Sequence, residues 1–413
     1  MTTQQSTATP QTVPLVIVGG GMVGLTLALM LARQGLPVTL LEAIRYPAVP
    51  VDGVPPAYHS SFDSRNTALS RRTVQIFTEL GVWSQLQRYA TPIHQVQISE
   101  LGGFGKARLL AEQERLESFG QVIENAWLGQ VLLAEVRAHD HITLLDGVSV
   151  TQLQQDADAV VVQATQQGQA VSLSCKVLIA ADGRDSFCRK ALGIDAHVHD
   201  YQQMALVTTV QTSAPHQQVA FERFTPQGPL ALLPLTGDYR RSVVWTVPAG
   251  TEADWLGDAN DARFLAALQT AFGGRAGRFE RTGARACYPL SQVLADRQAI
   301  GRVVLMGNAA HTLHPVAGQG FNLCIRDAQV LARTLAAQQQ NHADLGDAQV
   351  LQQYEAARLT DQKRVIRFCD SVVRGFSNHN PLLKLARNTG LLAFDLIPGA
   401  KQFVATYAMG LKV

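Results

Sequence analysis

The stretch from Val13 to Glu42 constrains the fold of this chain more than any other part of the sequence. A short apolar run, Leu15 to Val18, has the length and the β-branched content of a buried strand. The run leads into GGGMVG, and the apolar, proline-free segment that follows is long enough for a helix. A second apolar run, Pro37 to Leu41, predicts another strand that ends beside Glu42. The order predicts a strand–helix–strand unit with a glycine-rich first turn.

Three glycines of this turn, Gly19, Gly21 and Gly24, occupy the positions of a G-x-G-x-x-G motif. The first allows a tight turn, the second lets the backbone approach a pyrophosphate, and the third lets helix and strand pack closely. Phosphates accept hydrogen bonds at the helix N-terminus, and Glu42 can accept bonds from ribose hydroxyls. The motif therefore predicts dinucleotide binding. The alternatives are a glycine-rich turn without a ligand and a membrane-spanning helix, which the clustered glycines and the following strand disfavour.

Composition limits the remaining classes of protein. The 413 residues suit two or three domains, and a net charge of +2 gives no case for nucleic acid as a partner. Five scattered cysteines without a C-x-x-C pair fit a reducing compartment and argue against a disulfide framework or a zinc site. Residues 1–12 are polar, lack the pattern of a signal peptide and predict a disordered tail. We therefore expect a cytoplasmic protein.

The pattern of apolar residues predicts an α/β protein with a discontinuous first domain. Residues 13–200 together with 290–340 predict a Rossmann-like nucleotide-binding domain, because buried strands and helices alternate in both parts. Residues 201–289 change to alternating strands, which predicts a second domain, an inserted antiparallel sheet. Residues 341–413 predict a helical C-terminal region.

Two further motifs follow the glycine-rich turn, ADGRDS at 181–186 and GNAAHTLHPVAGQG at 307–320. In this order and spacing, the three motifs resemble those of the flavoprotein aromatic hydroxylases, the single-component monooxygenases related to p-hydroxybenzoate hydroxylase. The segments FDSRNTALS, ERFTPQGPLALLPL and NTGLLAFDLIPGAK resemble the ubiquinone-biosynthesis hydroxylases more closely. The resemblance covers nearly the whole chain. It implies an FAD-dependent monooxygenase that hydroxylates the ring of a polyprenylated phenol with O₂, through a flavin C4a-hydroperoxide.

The resemblance also implies roles for single residues. In the family, the three glycines meet the FAD pyrophosphate, Glu42 meets the adenosine ribose, and an arginine matched by Arg65 lies near the pyrophosphate. The third motif normally reads Gly-Asp, with the Asp bonding a ribityl hydroxyl. Here Asn308 replaces that Asp and keeps a hydrogen-bond acceptor without the charge. The further cofactor contacts that the resemblance implies are Asn125, Asp182, Gly183 and Gly307; the Asp-Gly pair is also implicated in pyridine-nucleotide binding.

The segment from Pro315 to Asp327 is expected to carry the chemistry. Gly318, Gly320 and Asn322 match residues whose backbone N–H groups meet the edge of the isoalloxazine, where a helix N-terminus stabilises the negative charge of the reduced flavin. By resemblance, the carbonyl of Pro315 faces the phenol. The catalytic candidates are therefore Pro315, Gly318 and Gly320. The resemblance makes Gly228 to Leu235 a wall of the substrate pocket, chiefly through Leu232 and Pro234, and the motifs indicate no catalytic base.

His311 and His314 are alternative acid–base candidates, since imidazole titrates near neutral pH. We favour structural roles instead, with His311 bonded to the backbone beside the ribityl chain and His314 shaping a turn. The H-x-x-H spacing has no accompanying carboxylate or cysteine cluster, so no metal site is expected.

The reductant and the partners are less constrained. No second G-x-G-x-x-G occurs, which fits NAD(P)H or another electron donor that binds transiently. The apolar segment Pro381 to Val413 can pack on the core, form a protomer interface, or contact a membrane or a ubiquinone-biosynthesis protein complex. Two other functions stay open: a hydroxylase of a soluble aromatic compound and a non-hydroxylating FAD-binding protein. A halogenase is disfavoured, because no W-x-W-x-I-P string occurs.

Overall fold

A computed structural model describes residues 10–47, 65–376 and 387–390 of the chain. The strands of these residues form three sheets. In chain order they are β1 Gln11–Val18, β2 Val38–Glu42, β3 Asn66–Ser70, β4 Ala90–Pro92, β5 Gln95–Glu100, β6 Lys106–Leu110, β7 Gly120–Glu124, β8 Ile142–Asp146, β9 Val148–Gln155, β10 Val160–Gln166, β11 Gln169–Ala180, β12 Ala196–Thr212, β13 Val219–Thr225, β14 Gly228–Pro234, β15 Arg240–Pro248, β16 Phe279–Thr282, β17 Ala286–Ala295, β18 Ala299–Ile300, β19 Val303–Leu305 and β20 His311–Thr312.

The α-helices of the described residues lie mainly against the first sheet and at the end of the chain. They are α1 Met22–Arg33, α2 Arg71–Glu79, α3 Trp83–Leu86, α4 Asn125–Ala138, α5 Phe187–Ala191, α6 Asp261–Phe272, α7 Gln319–Gln340 and α8 Ala348–Phe376. The helix predicted beside the glycine-rich turn is α1, which begins within the motif at Met22, so that Gly24 lies inside the helix. Ser70 caps α2 by accepting a hydrogen bond from the Thr73 N–H.

The first sheet has eight strands and places the glycine-rich turn at its edge. Its main path is β18-β19-β11-β1-β2-β8, with β9 and β10 attached beside β11. The strand β1 pairs in parallel with both β11 and β2, so that Val18, Leu41 and Ala180 end at one edge. Ligands of parallel α/β sheets bind at such an edge, beyond the carboxyl ends of the strands. Together with the helices packed on it, this sheet confirms the predicted α/β class.

The second sheet has nine strands in the order β20-β17-β12-β15-β14-β13-β5-β6, with β16 beside β12. The range predicted for it, 201–289, is too narrow. The strand β5, more than 100 residues earlier in the chain, pairs in parallel with β13 and brings β6 with it. Pairing between segments so distant in sequence leaves no local pattern, so the sequence alone does not show it. One face of this sheet packs on α6, with Leu232, Trp245 and Phe264 in the shared core.

The N-terminal boundary departs from expectation, whereas most of the predicted apolar C-terminal segment lies outside the described residues. The strand β1 begins at Gln11, inside the 1–12 range predicted as a disordered tail, and residues 1–9 lie outside the described residues. The helix α8 falls in the predicted C-terminal helical region, but the apolar segment from Pro381 lies outside the described residues except for 387–390. Among the helices described, none is long and apolar enough to cross a membrane, and α1 has only 12 residues.

Candidate active site

The three motif glycines have two different surroundings. A Cβ atom at Gly24 would lie 1.9 Å from the carbonyl oxygen of Gly19, and one at Gly19 would lie 2.3 Å from that of Ala181. Gly19 also has a φ of +108°, and its N–H donates to the Leu41 carbonyl at 2.8 Å. At Gly21, by contrast, a Cβ atom would meet nothing within 4 Å. Two of the glycines are therefore required by packing, while Gly21 opens onto free space.

That free space lies at the start of α1, whose N-cap residue is Gly21 and makes no side-chain capping bond. The first N–H groups of a helix have no acceptor within the helix, so they can bind an anion here. Glu42 lies beside the same turn: its carboxylate accepts hydrogen bonds from the Gly20 N–H at 2.5 Å and the Ile44 N–H at 2.8 Å. The Tyr46 hydroxyl donates to the Gly20 carbonyl, a contact that no sequence motif indicates. Burial, with a smaller effect of Glu42, raises the pKa of Tyr46.

The Asp-Gly motif follows β11 at the same edge of the sheet. The two carboxylate oxygens of Asp182 accept hydrogen bonds from the Ser186 hydroxyl at 2.6 Å and the Cys188 N–H at 2.9 Å. Gly183 has a φ of +89°, a conformation that side chains rarely adopt. Asp182 therefore holds the start of α5 in place, which is a role that the resemblance does not suggest.

Arg65 and Asn125 lie together, although they are far apart in the chain. The Arg65 carbonyl accepts the Asn125 N–H at 2.9 Å, and the Arg65 guanidinium lies over the Tyr288 ring at 4.9 Å. The side-chain oxygen of Asn125 accepts from the Thr67 hydroxyl at 2.6 Å. The Arg65 side chain is exposed and therefore accessible from solvent, and Asn125 is the first residue of α4.

A second helix N-terminus without a side-chain cap lies at the start of α7. Its N-cap residue, Gly318, has left-handed backbone angles with φ +59°, and the Gly318 N–H donates to the Pro315 carbonyl at 2.9 Å. A Cβ atom at Gly320 would meet nothing within 4 Å. Upstream, Gly307 has a φ of +63° and Asn308 is exposed. The third motif thus places the N-terminus of α7, with open space beside Gly320, next to the Pro315 carbonyl, whose oxygen is partly engaged.

Asn322 ties this N-terminus to β3 and to the start of α2. Its side-chain oxygen accepts from the Ser70 N–H at 2.8 Å and the Thr73 hydroxyl at 2.7 Å. Its side-chain nitrogen donates to the carbonyls of Ala68 and Gly318, both at 2.8 Å. The amide is buried and its hydrogen-bonding capacity is filled by protein atoms, so the side chain of Asn322 has no group left to meet a ligand.

The two histidines of the motif are buried and have different partners. His311 does not bond the backbone as expected: its Nε2 lies 2.7 Å from an oxygen of Asp327. The Nδ1 of His314 accepts the Val316 N–H at 3.2 Å, and its Nε2 has no hydrogen-bond partner in the described part of the chain. Burial lowers the pKa of His314 to about 4, so this ring is neutral at pH 7. His314 therefore shapes the turn and is not a proton donor at neutral pH.

Asp327 is the centre of a buried polar network between α7 and α8. Besides His311, it accepts from the Arg358 guanidinium at 2.5 Å and the Gln362 side chain at 3.0 Å. Arg358 and Arg326 also share Asp361. Burial alone raises the pKa of Asp327, but the hydrogen bonds and charges of His311 and Arg358 outweigh it and hold the pKa below its usual value. The network fixes α7, and with it the N-terminus that lines the site.

A cavity of about 430 Å³ lies between the second sheet and the N-terminus of α7. One side of the cavity is lined by the segment 315–322 and by β3. The other side is lined by strands β5, β13, β14 and β15, and Phe368 of α8 also contributes to the lining. The lining is mainly apolar. Of the wall strand β14, Pro229, Ala231 and Leu233 line the cavity.

The prediction that Leu232 and Pro234 line this cavity is wrong by one residue. Side chains alternate across a strand, so Ala231 and Leu233 face the cavity, whereas Leu232 packs in the core against α6. Because both faces of β14 are covered, both sets of side chains are apolar, and the sequence pattern does not distinguish the faces.

Glu222 of β13 also lines the cavity and was not among the predicted site residues. Desolvation by its surroundings raises the pKa of this carboxyl to about 7. The sequence carried one signal for it. Glu222 and Arg223 are adjacent in a strand, so they point to opposite faces, and in a sheet covered on both faces one charge must lie inside.

No cluster of ligands suited to a metal ion occurs in the described ranges.

The comparisons with known proteins agree with the cavity and with the two helix N-termini, of α1 and α7, that lack a side-chain cap. The family described as "FAD binding domain" matches residues 12–369. The ubiquinone hydroxylase UbiL of Rhodospirillum rubrum is 34% identical to the chain, over 96% of the chain and 89% of that protein. The chain belongs to the FAD-dependent ubiquinone hydroxylases.

Other comparisons support this family. The 3-demethoxyubiquinol 3-hydroxylase of Escherichia coli is 32% identical over 98% of the chain and 100% of that protein. A crystal structure of p-nitrophenol 4-monooxygenase from Pseudomonas putida has the same fold, with a TM-score of 0.79 over 98% of the chain and 100% of that structure at 19% identity. The protein is thus an FAD-dependent monooxygenase, an oxidoreductase that uses O₂, and the predictions of family, enzyme class and cofactor are confirmed.

Proposed function

We propose that this monooxygenase hydroxylates the aromatic ring of a polyprenylated phenol in ubiquinone biosynthesis. The observation that carries the proposal is the mainly apolar cavity of about 430 Å³ beside the open N-terminus of α7, in a chain that shares its family with ubiquinone hydroxylases. A cavity of this size and lining suits an aromatic ring with an apolar substituent.

The residues around the two open helix termini fit FAD. At α1, the space beside Gly21 and the free N–H groups suit a pyrophosphate, and Glu42 is placed to accept a ribose hydroxyl. At α7, the helix N-terminus with open space beside Gly320 suits an edge of the isoalloxazine that becomes negative on reduction. Between them we assign cofactor contacts to Gly19, Gly24, Arg65, Asn125, Asp182, Gly183, Gly307, Asn308, Gly320 and the backbone of Asn322. The first sheet is thus the cofactor side and the second sheet the substrate side.

When bound, FAD supplies the reduced flavin that activates O₂ for transfer to the ring. The protein's own part is to position the ring and to exclude water. The apolar lining of the cavity keeps water away from the reacting atoms. The Pro315 carbonyl accepts the Gly318 N–H and has a second lone pair, which can face the phenol. Pro315, Gly318 and Gly320 therefore line the reacting face.

Delivery of substrate and electrons belongs to the same proposal. We propose NAD(P)H or another transient donor as the reductant. We further propose that the protein works in the cytoplasm, at the inner face of the membrane or in a ubiquinone-biosynthesis complex, because a polyprenylated phenol partitions into bilayers. The support is the apolar composition of Pro381 to Val413, which carries few charges.

The test uses the purified holoenzyme with NADH or NADPH, O₂ and a prenylated methoxyphenol, because the motifs resemble those of 2-octaprenyl-6-methoxyphenol hydroxylase most. We expect a product heavier by one oxygen atom, formed in step with reductant consumption. Soluble p-hydroxybenzoate serves as the comparison substrate. Hydroxylation of p-hydroxybenzoate in preference to the prenylated phenol would contradict the substrate assignment, and reduced flavin that yields only hydrogen peroxide with every phenol would contradict the hydroxylation.

A further inference from the structure

The cavity contains a single ionisable side chain among the described residues that line it, and that side chain is Glu222. Burial is the only cause that shifts the pKa of this carboxyl. No charge or hydrogen bond from the described residues therefore compensates for the water that the carboxyl loses. Glu222 is partly buried where it lines the cavity. A carboxyl that loses water without gaining a partner is costly, so a ligand that supplies a hydrogen-bond donor is favoured there.

The register of the second sheet fixes the direction of Glu222. Glu222 lies opposite Ile98 of β5 on one side and opposite Ala231 of β14 on the other. Ala231 in turn lies opposite Val244 of β15. Residues directly opposite one another share a face of the sheet, and all four of these residues line the cavity. The carboxyl and the N-terminus of α7 therefore face the same space.

Among the described residues that line the cavity, no side chain other than Glu222 is charged. The other elements that line the cavity contribute Pro315, Phe321 and Phe368, none of which titrates. The neighbouring Arg223 lies on the opposite face of the sheet, where its guanidinium donates to the Ala271 carbonyl at 3.0 Å. A titration within the cavity near neutral pH is therefore a titration of Glu222.

We propose that Glu222 is the catalytic base of the hydroxylase, accepting first the hydrogen bond and then the proton of the phenol hydroxyl. The inference rests on the proposed function, since it takes its substrate class from there. In the step, the phenol O–H bond breaks and a new O–H bond forms on the Glu222 carboxylate. The electron pair stays on the phenol oxygen and increases the electron density of the ring, which favours attack by the ring on an electrophilic oxygen. Return of the proton to the product oxygen regenerates the carboxylate.

The raised pKa suits this role. A phenol has a pKa of about 10, and a carboxyl of ordinary pKa, 4.5, lies about 5.5 units below it. At a pKa of about 7 the difference falls to about 3 units, so proton transfer is less uphill while the carboxylate still forms at pH 7 to 8.

The experiment measures binding without turnover, and a separate assay measures the rate of hydroxylation. The oxidised holoenzyme is titrated with 2-methoxy-6-prenylphenol from pH 5.5 to 9, and the dissociation constant is read from the change in flavin absorbance. The ionisation of the bound phenol is read from its phenolate absorbance. Wild type, Glu222→Gln and Glu280→Gln are compared. Glu280 serves as the matched control because it lies in β16 of the same sheet as Glu222, is exposed and pairs with Arg278.

We expect wild type and Glu280→Gln to bind the phenol at least threefold more tightly at pH 8 than at pH 6, with an apparent pKa near 7. In Glu222→Gln this dependence disappears, phenolate absorbance appears only at higher pH, and hydroxylation slows at least tenfold with unchanged FAD content. A wild-type dissociation constant that is independent of pH between 6 and 8 overturns the proposal, even where the variant does not fold. A Glu222→Gln protein that keeps the wild-type profile and rate also overturns it.

The failure of the proposed function has a different signature. If wild type hydroxylates the prenylated phenol but shows neither effect of Glu222, the role of Glu222 is wrong and the function stands. If wild type neither binds nor hydroxylates any prenylated phenol, the substrate assignment is wrong, and the role of Glu222 is wrong with it.

Discussion

Asp327 of α7 is a buried acidic side chain and Glu222 of β13 a partly buried one, and their surroundings differ. Asp327 accepts from His311, Arg358 and Gln362. Burial raises its pKa, but His311 and Arg358 outweigh this effect and hold the pKa below the usual value. Glu222 faces an apolar cavity, and desolvation raises its pKa to about 7. The first acid is fully partnered by the protein. The second is left for a ligand.

The same contrast separates the motif glycines. Gly24 is required because a side chain would collide with the backbone of Gly19, whereas Gly21 borders free space. It also separates the two sides of β14, where Leu232 packs in the core and Ala231 lines the cavity. Side chains and backbone positions that make their contacts within the protein contribute to its stability. Those that border the cavity or the free space at a helix N-terminus are available to bind ligands. The predictions below test this division by asking which substitutions change unfolding and which change binding.

The largest effect on stability is expected at Asp327. The Asp327→Asn substitution removes the charge that partners Arg358 and leaves a buried guanidinium only partly compensated. Breaking a buried ion pair from one side costs about 3–5 kcal/mol. We expect this loss in the free energy of unfolding from urea titration of the holoenzyme. The control is Asp254→Asn, whose pair with Arg263 is exposed and should contribute less than about 1 kcal/mol. Equal losses in the two variants would contradict the comparison.

A somewhat smaller loss is expected at Leu232. This side chain is fully buried against α6, so Leu232→Ala should cost about 2–4 kcal/mol of unfolding free energy without changing the affinity for the phenol. Its neighbour on the other face provides the matched variant. Leu233→Ala should weaken phenol binding in the flavin absorbance titration and cost less stability, because Leu233 is only partly buried and lines the cavity. The reverse pattern would restore the original prediction for Leu232.

The sequence predicted those parts of the site that depend on local chemistry. The glycines at 19, 21 and 24 and the loop before α7 are recognisable because turn geometry and helix termini demand particular residues at fixed spacing. The parallel pairing of β5 with β13 was not predictable, because it joins segments with no shared pattern. Since β14 is covered on both faces, its register was equally ambiguous. The partner of His311 was missed because Asp327 lies 16 residues away on a helix.

Glu222 gives a third prediction, with the opposite sign to that at Asp327. Its folded-state pKa, about 7, is raised above the unfolded value near 4.5, so the folded protein binds more protons between these values and stability falls as pH rises through them. Glu222→Gln removes that loss. The variant should be more stable than wild type at pH 8, by up to about 3 kcal/mol, and closer to wild type at pH 5. Urea titrations at both pH values measure the difference, and a variant less stable than wild type at pH 8 would show that the carboxylate has a partner in the folded protein.

The smallest effect on unfolding, and one confined to the cofactor, is expected at Gly21. A Cβ atom there meets no protein atom within 4 Å, so Gly21→Ala should change the unfolding free energy of the flavin-free protein by less than about 1 kcal/mol. The added methyl group lies where we place the pyrophosphate, so FAD affinity should fall at least tenfold, about 1.4 kcal/mol, in a fluorescence titration. Gly129→Ala is the control, because Gly129 also borders free space but lies within α4. It should stabilise the helix by about 0.5–1 kcal/mol and leave FAD binding unchanged. Unchanged FAD affinity in Gly21→Ala would mean that the open space beside the turn is not the pyrophosphate site, and the division between partnered and open glycines would fail at the cofactor.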